Sequence, residues 1–307
     1  MIAPVTKAVF PVAGLGSRFL PATKAIPKEM LPVVDKPLIQ YAAEEAAAAG
    51  ITDLILVTGR SKRAIEDHFD KNVELEAELI ERNKLELLEE LRDILPGHIT
   101  CVAVRQAEPL GLGHAVLCAL PAVGDAPFAV FLPDDFIYAR GGPGCMRQIV
   151  DAYGQCGHSV LAVQRVDPAQ TDRYGVVDAA PAQGQKLTPI HAIVEKPAPV
   201  DAPSNLAVVG RYVLTPKVMQ LLKTTGRGAG GEIQLTDAIA TLLETEPVSA
   251  YEFDGQRFDC GAKLGFLQAF FELALDHPGL GHEFRRYVEA RIGRQRNWAL
   301  EKSAAGE

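Results

Sequence analysis

The 307-residue sequence predicts an α/β protein built on a doubly wound, mostly parallel sheet, with antiparallel strands added in its second half. Three observations predict it. Short apolar, β-rich runs alternate with longer helical patterns, and the opening β-α-β-α order favours parallel strands wrapped by helices through right-handed crossovers. Hydrophobic residues make up 48% of the chain, ample for a large core. The second half has more strands per helix than the first, which suggests added antiparallel strands and not a clean second domain.

The elements follow in order. The apolar run at 7–12 fits a buried strand that enters a tight turn at Gly14 and Gly16. Further strands are expected at 53–58, 99–104, 128–132, 159–165, 190–195, 207–214 and 248–253. Helical spacing predicts helices at 37–49, 61–69, 73–95, 114–121, 144–156, 215–224, 232–244, 261–276 and 282–295. Helix 73–95 is highly charged, with Leu75, Leu79, Leu88, Leu91 and Leu95 near helical spacing; it reads as an amphipathic cover for the sheet or as a subunit contact. Phe270, Phe271, Phe284 and Tyr287 in the last two helices read first as core and second as interface. Segment 181–205, rich in Pro, Ala and Gln, is expected to loop around Glu195-Lys196-Pro197. No repeat or long linker divides the chain, which predicts a single domain over 1–298 and a frayed tail at 299–307.

Composition excludes several classes of function. A net charge of −8 argues against a nucleic-acid-binding surface, so the basic cluster near the N-terminus is local. The five cysteines (Cys101, Cys118, Cys145, Cys156, Cys260) show no CxxC spacing and read as reduced thiols. No apolar run approaches the ~18 residues of a membrane span, and the first residues lack a signal-peptide core. No membrane association and a cytoplasmic location are expected.

The most informative stretch is 8–32. Behind the first strand, Gly14 and Gly16 let backbone N–H groups approach an anion. Arg18, Lys24 and Lys28 then place three cations within eleven residues, with Pro21, Pro27 and Pro32 between and around them. This suits a polyphosphate at the carboxyl end of a strand. It is neither a dinucleotide fingerprint, since Phe19 stands where a third glycine belongs, nor a P-loop.

Other candidate sites lie at strand ends. Asp134 and Asp135 follow the run 128–132; such a pair suits Mg²⁺ or simply a turn, and Asp259 could supply a second ligand or cap a helix. Gln106 ends a strand ahead of Gly111-Leu112-Gly113-His114, and its amide matches the edge of a pyrimidine, with Gly111 letting a base lie close. His114 reads as an acid–base group or as a structural residue at a helix start. Gly175, Glu195, Lys196 and Gly210 sit where polar or glycine residues break apolar runs. Glu195 could take sugar hydroxyls and Lys196 a phosphate; the plain alternative is a surface ion pair. Segment 231–237 reads as a capped helix.

GxGxR followed by Pro-Lys-Glu-Met-Leu-Pro resembles the signature of the sugar-nucleotide pyrophosphorylases, which join a nucleoside triphosphate to a sugar 1-phosphate. The resemblance runs from about residue 7 to 292 and is strongest in segments 22–32, 34–41, 111–117, 202–214 and 231–239, of which the last three point to the uridine-using branch better than the N-terminal loop does. It implies a nucleotide-diphospho-sugar transferase α/β/α sandwich, UTP and glucose 1-phosphate as substrates, Mg²⁺ as cofactor, and a homo-oligomer, dimer or tetramer. It further implies that Ala13, Gly14, Gln106 and Gly111 surround the uracil, with Leu15 and Gly16 in the same nucleotide-binding loop. Arg18 and Lys28 would hold the triphosphate, Asp134 and Asp259 the metal. Gly175, Glu195 and Gly210 would line the glucose, with Lys196 on its phosphate. The chain departs from the pattern at Ser17, Phe19, Asp135 and Ala262; the last two are expected to bear on metal affinity or loop geometry.

The implied chemistry is in-line attack of a sugar-phosphate oxygen on the α-phosphorus. That nucleophile is already an anion, since a phosphate monoester's second pKa is about 6, so no general base is needed. Three alternatives remain at this stage: a thymidine- or cytidine-using enzyme of the same family, a glycosyltransferase, and a non-catalytic regulator that binds sugar nucleotide.

Overall fold

The structure is a computed structural model and describes residues 2–180 and 184–304. In chain order, β1 (Lys7–Pro11) leads through three short 3₁₀ turns to β2 (Pro32–Val33), β3 (Lys36–Pro37) and α1 (Leu38–Ala48). Then come β4 (Asp53–Thr58), α2 (Arg63–Phe69), α3 (Val73–Glu81), α4 (Leu85–Arg92), β5 (Thr100–Arg105), α5 (Leu112–Cys118) and α6 (Leu120–Val123). The middle holds β6 (Phe128–Phe131), β7 (Asp135–Tyr138), α7 (Cys145–Cys156), β8 (Ser159–Arg165), β9 (Gly175–Asp178), β10 (Leu187–Pro189), β11 (Ala192–Glu195) and β12 (Leu206–Leu214). The chain closes with α8 (Lys217–Leu222), α9 (Leu235–Leu242), β13 (Val248–Glu252), β14 (Gln256–Asp259), α10 (Lys263–Asp276) and α11 (Gly281–Ala304).

The main sheet runs β10-β13-β8-β12-β6-β1-β4-β5, with β9 pairing to β12 and β11. β6, β1, β4 and β5 are parallel, as are β8 and β13. β12 runs antiparallel between β8 and β6, so the mostly parallel sheet with added antiparallel strands is observed. Alternation along each strand winds it on both faces. Phe10 of β1 packs in one cluster with Ile39 and Ala42 of α1, Ile65 of α2 and Met146 of α7. Val9 points the other way, into a cluster with Val116 of α5, Val218 of α8 and Ile239 of α9. A third cluster, with Val33, Leu38, Phe136, Phe258 and Ala269, ties the β7–β14 ribbon to α10.

Two features of this topology position the site. The parallel strands β1, β4, β5 and β6 end at one edge of the sheet, where open α/β sheets bind ligands. All nine residues of β12 are buried, and a register shift between Val208 and Tyr212 sets Gly210 against the end of β6, where its carbonyl accepts the Leu132 N–H at 2.9 Å. Such bulges re-aim a strand locally.

Several expectations are corrected. Segment 73–95 is not one helix: Asn83 adopts φ 52°, the Lys84 N–H closes on the Leu79 carbonyl at 2.9 Å, and the chain reverses into α4. Asn tolerates this left-handed conformation, a common helix stop. Arg92 bridges the resulting hairpin to Glu76 at 2.7 Å. Of its seven leucines only Leu88 is buried, so the hairpin does not cover the sheet as a core helix does. The last two helices pack on each other through Phe271 and Phe284, but Phe270, Phe271 and Tyr287 are exposed rather than core and Phe284 is only half-buried; Leu264 and Leu267 are exposed beside them. α11 runs on to Ala304, past the expected end at 295. Segment 181–205 contains β10 and β11, while 181–183 lie outside the described residues. α9 begins at Leu235, behind a 3₁₀ turn at Ala229–Gly231, and not at 232. β7, β9, β10 and β14 are additional strands.

Candidate active site

The loop Ala13-Gly14-Leu15-Gly16 leaves β1 at the sheet edge. Gly16 takes φ 67° and its carbonyl accepts from the Thr23 hydroxyl at 2.7 Å, which folds the loop back over the 3₁₀ turns. A Cβ on Gly16 would meet Lys28 Cβ at 3.3 Å, whereas one on Gly14 would meet nothing within 4 Å. The loop therefore packs against the Lys28 turn on one side and stays open on the other. Arg18 lies in the first 3₁₀ turn, exposed, and Lys28 opens the third.

Asp134 follows β6, and its Oδ2 accepts from Lys28 Nζ at 2.5 Å. Burial works against the charge on both groups, and the pairing outweighs it: Asp134 is held below the usual carboxylate range and Lys28 above the usual lysine range. Asp259 ends β14. Its Oδ1, Asp134 Oδ2 and Arg18 Nη2 all lie within 3.0 Å of the point a Gly261 Cβ would occupy. Glycine at 261 thus keeps open a small space shared by two carboxylates and a guanidinium. The Cys260 N–H donates to the Asp134 carbonyl at 2.7 Å, which ties the two aspartate-bearing strands directly. Burial, then the neighbouring aspartates, push the Cys260 thiol up to about 12, so it stays protonated beside them.

The Pro-Lys-Glu-Met motif carries a second ion pair that sequence reasoning missed. Glu29 is buried and accepts from Lys62 Nζ at 2.9 Å, clamping the Lys28 turn to the loop after β4. Burial raises the Glu29 carboxyl, against the pull of Lys28 and Lys62.

Gln106 follows β5. Its amide nitrogen donates to the Gly111 carbonyl at 3.2 Å and meets His114 Nδ1 at 3.0 Å. His114 lies in the first turn of α5, and its contact with the amide helps orient Gln106. Gly111 takes φ 110°, and a Cβ there would meet Glu232 Cβ at 2.7 Å and the Ile233 carbonyl at 2.8 Å. The Gly113 N–H donates to Ile233 O, and Ile233 N–H to Leu110 O. Two motifs distant in sequence, 111–117 and 231–239, meet backbone to backbone because glycine leaves room. Gly111 is thereby required by chain packing, a reason separate from any base lying close.

Gly175 and Glu195 face each other across the β9–β11 pair. Glu195 Oε2 accepts from the Thr236 hydroxyl at 2.7 Å, and Oε1 lies 3.3 Å from Lys196 Nζ. Lys196 adopts φ 46°, a conformation costly for a residue with a Cβ and common at functional sites. Gly210 has both backbone groups committed: its N–H donates to Asp135 Oδ2 at 2.8 Å, and its carbonyl accepts from Leu132 N–H and Arg211 Nη1. A Cβ there would meet Leu132 Cβ at 2.6 Å.

Asp135 is thus a largely enclosed anchor for Gly210 and pairs with Arg257, which also donates to the Tyr174 hydroxyl. Arg211 is 1% exposed and forks onto Glu45. These were missed, although a lone Arg in the apolar run 206–214 and an acid in the Ala-rich segment 42–49 are the sequence signs of a buried pair.

The residues thus gather into a cluster of cations and carboxylates (Arg18, Lys28, Asp134, Asp259), a group around the β9–β11 pair (Gly175, Glu195, Lys196) and the Gln106–Gly111 contact. The nucleotidyl transferase family model matches residues 7–275. The chain belongs to the nucleotidyl transferase family. Within that family it is 52% identical over 295 residues to the UTP–glucose-1-phosphate uridylyltransferase of Escherichia coli K12, covering 94% of this chain and 97% of that one. It superposes on a UTP-bound UGPase from Acinetobacter baumannii with TM-score 0.87 and 49% identity, covering 92% and 98% of the two chains. A UDP-glucose pyrophosphorylase complexed with UDP-glucose gives TM-score 0.79 and 42% identity, covering 87% and 97%. No helix among the described residues of this nucleotidyl transferase is long and apolar enough to cross a membrane.

Proposed function

We propose that this nucleotidyl transferase converts UTP and α-D-glucose 1-phosphate to UDP-glucose and pyrophosphate. The observation that carries the reading is the convergence of Arg18, Asp134 and Asp259 around Gly261, with Lys28 paired to Asp134. This fits a reaction in which two anions must be brought together and no base–nucleophile pair is required. Arg18 and Lys28 hold the triphosphate against the Gly14–Gly16 loop. Lys196 holds the phosphate of glucose 1-phosphate, and Glu195 takes sugar hydroxyls beside Gly175.

Asp134 and Asp259 would hold a divalent cation such as Mg²⁺, which when bound neutralises phosphate charge. The all-oxygen donor pair fits a hard cation that takes few protein ligands and the rest from phosphate and water. Among the described residues no group of three or more His, Cys, Asp or Glu is arranged for a metal, in keeping with that chemistry.

An amide that spends its hydrogens on Gly111 and His114 offers a ligand its carbonyl oxygen. Gln106 therefore suits a base with an N3–H donor, uracil or thymine, over cytosine. The exposed apolar residues of α10 support the expectation that copies of the chain associate. No nucleic-acid partner and a cytoplasmic site of action complete the reading.

The test is pyrophosphate release with glucose 1-phosphate and Mg²⁺, comparing UTP, dTTP, CTP and ATP. Release favouring UTP is expected. Release favouring dTTP keeps the chemistry and overturns the base; no release from protein that binds UDP-glucose points to a regulator. Two variants test the residue roles. Lys196→Ala is expected to raise the KM for glucose 1-phosphate, and Arg18→Ala to lower kcat with UTP, by about 10²-fold for a lost charge contact to the reacting phosphates. Wild-type turnover in both would remove this site assignment.

A further inference from the structure

We infer that Arg257 is a positioning residue that sets Lys196 against the Asp134–Asp259 pair through Asp135 and Tyr174. The inference rests on the proposed reaction and goes beyond it, since Arg257 touches neither substrate in that reading.

The geometry is a continuous chain. Asp135 adjoins Asp134 in sequence and lies directly opposite Asp259 in the β7–β14 register. Arg257 is two residues before Asp259, hence on the same face of β14. Its Nε donates to Asp135 Oδ1 at 2.7 Å, and its Nη2 donates to the same oxygen. Its Nη1 donates to the Tyr174 hydroxyl at 3.2 Å, and the guanidinium lies 5.1 Å from the Tyr174 ring centroid. The Tyr174 carbonyl in turn accepts the Lys196 N–H at 2.9 Å. Asp135 Oδ2 meanwhile holds the Gly210 N–H at 2.8 Å. One guanidinium, its side chain 7% exposed, thus joins the aspartate ribbon, the bulge of β12 and the start of β9.

Lys196 gives this chain its consequence. Its side chain is half-exposed and, among the described residues, pairs with Glu195 alone among carboxylates, so it is not packed into place. What locates it is its backbone, held at φ 46° and bonded to Tyr174. A shift of Tyr174 therefore moves the sugar-phosphate lysine relative to Asp134 and Asp259. The fork geometry of Arg matters here, because a lysine at 257 could neutralise Asp135 yet could not also donate to the Tyr174 hydroxyl from a second nitrogen. The triphosphate cations Arg18 and Lys28 stand on the turns after β1 and meet the ribbon at Asp134 and Asp259; none of the hydrogen bonds among the described residues joins them to Arg257, Asp135 or Tyr174, so the glucose 1-phosphate side should respond more strongly than the UTP side.

The test uses the full-length protein with two conservative variants, Arg257→Lys and Tyr174→Phe. Steady-state pyrophosphate release is measured with each substrate varied in turn, alongside thermal unfolding. In Arg257→Lys we expect the KM for glucose 1-phosphate to rise about tenfold and kcat to fall about tenfold, with the KM for UTP within about twofold of wild type. Tyr174→Phe keeps the ring and removes the hydroxyl alone; it should keep the melting temperature and raise the KM for glucose 1-phosphate about threefold. Should Arg257→Lys fold poorly, Tyr174→Phe decides by itself. Unchanged glucose 1-phosphate kinetics in Tyr174→Phe, or equal changes for both substrates in the folded variants, would overturn the positioning role. Wild-type protein inert with UTP and glucose 1-phosphate would instead overturn the reaction on which the role depends.

Discussion

Lys28→Met is expected to lower kcat for UTP-dependent pyrophosphate release by about 10²–10³-fold, the loss typical when a preorganised charge at the reacting group is removed. Methionine keeps most of the stem that packs beside Gly16 and takes away only the ammonium. That ammonium is well prepared for its task. Pro27 and Glu29 flank it in buried positions, Glu29 is clamped by Lys62, and Asp134 receives its proton-bearing head. Burial opposes the charge, but Asp134 and Glu29 outweigh it, so Lys28 enters the reaction as a cation at neutral pH. Its loss also leaves Asp134 without its cation in a buried position, which pushes that carboxyl upward and weakens any hold on a divalent cation. Wild-type kcat in a folded Lys28→Met protein would place the triphosphate elsewhere.

The second large effect is on stability. Arg211 is fully buried; Nε and Nη2 fork onto Glu45 Oε2 at 3.0 and 2.7 Å, and Nη1 donates to the carbonyls of Leu132 and Gly210. Its guanidinium stacks 4.7 Å from the Phe131 ring centroid. Glu45 uses its other oxygen to accept the Met146 N–H at 2.8 Å, satisfying the first turn of α7. Breaking one side of such a pair strands the other charge, so Arg211→Leu or Glu45→Leu alone should cost about 3–5 kcal/mol. The double variant Glu45→Leu/Arg211→Leu should recover part of that loss, because no unpaired charge remains. Urea unfolding of the three proteins measures both statements. Single variants within about 1 kcal/mol of wild type, the scale of an exposed pair, would show that the pair does not clamp α1, α7 and the end of β6 together.

The parts of this protein that could be read from sequence are those whose signal is local. A strand buried on both faces, such as 54–57 or 128–131, is an unbroken apolar run whatever its partner is. The glycine–cation loop at 14–28 stands out because its glycines and cations fall within a few turns of chain, as the proposed polyphosphate site would need. Asp134, Asp259, Glu195 and Lys196 could be named because each ends a recognisable apolar run or matches a motif.

What escaped reading depends on partners distant in the chain. Asp135 looks like a turn acid until Arg257, 122 residues away, is found on it, and Glu45 looks like a surface acid until Arg211, 166 residues away, is. The strands β7, β9, β10 and β14 are three or four residues long, too short to show a period, and exist through the registers they share with neighbours. The break at Asn83 turns on one backbone conformation that an Asn can adopt but need not. Hydrophobic pattern is a property of neighbours along the chain; buried charge pairing and register are properties of neighbours in space, and only folding brings those together.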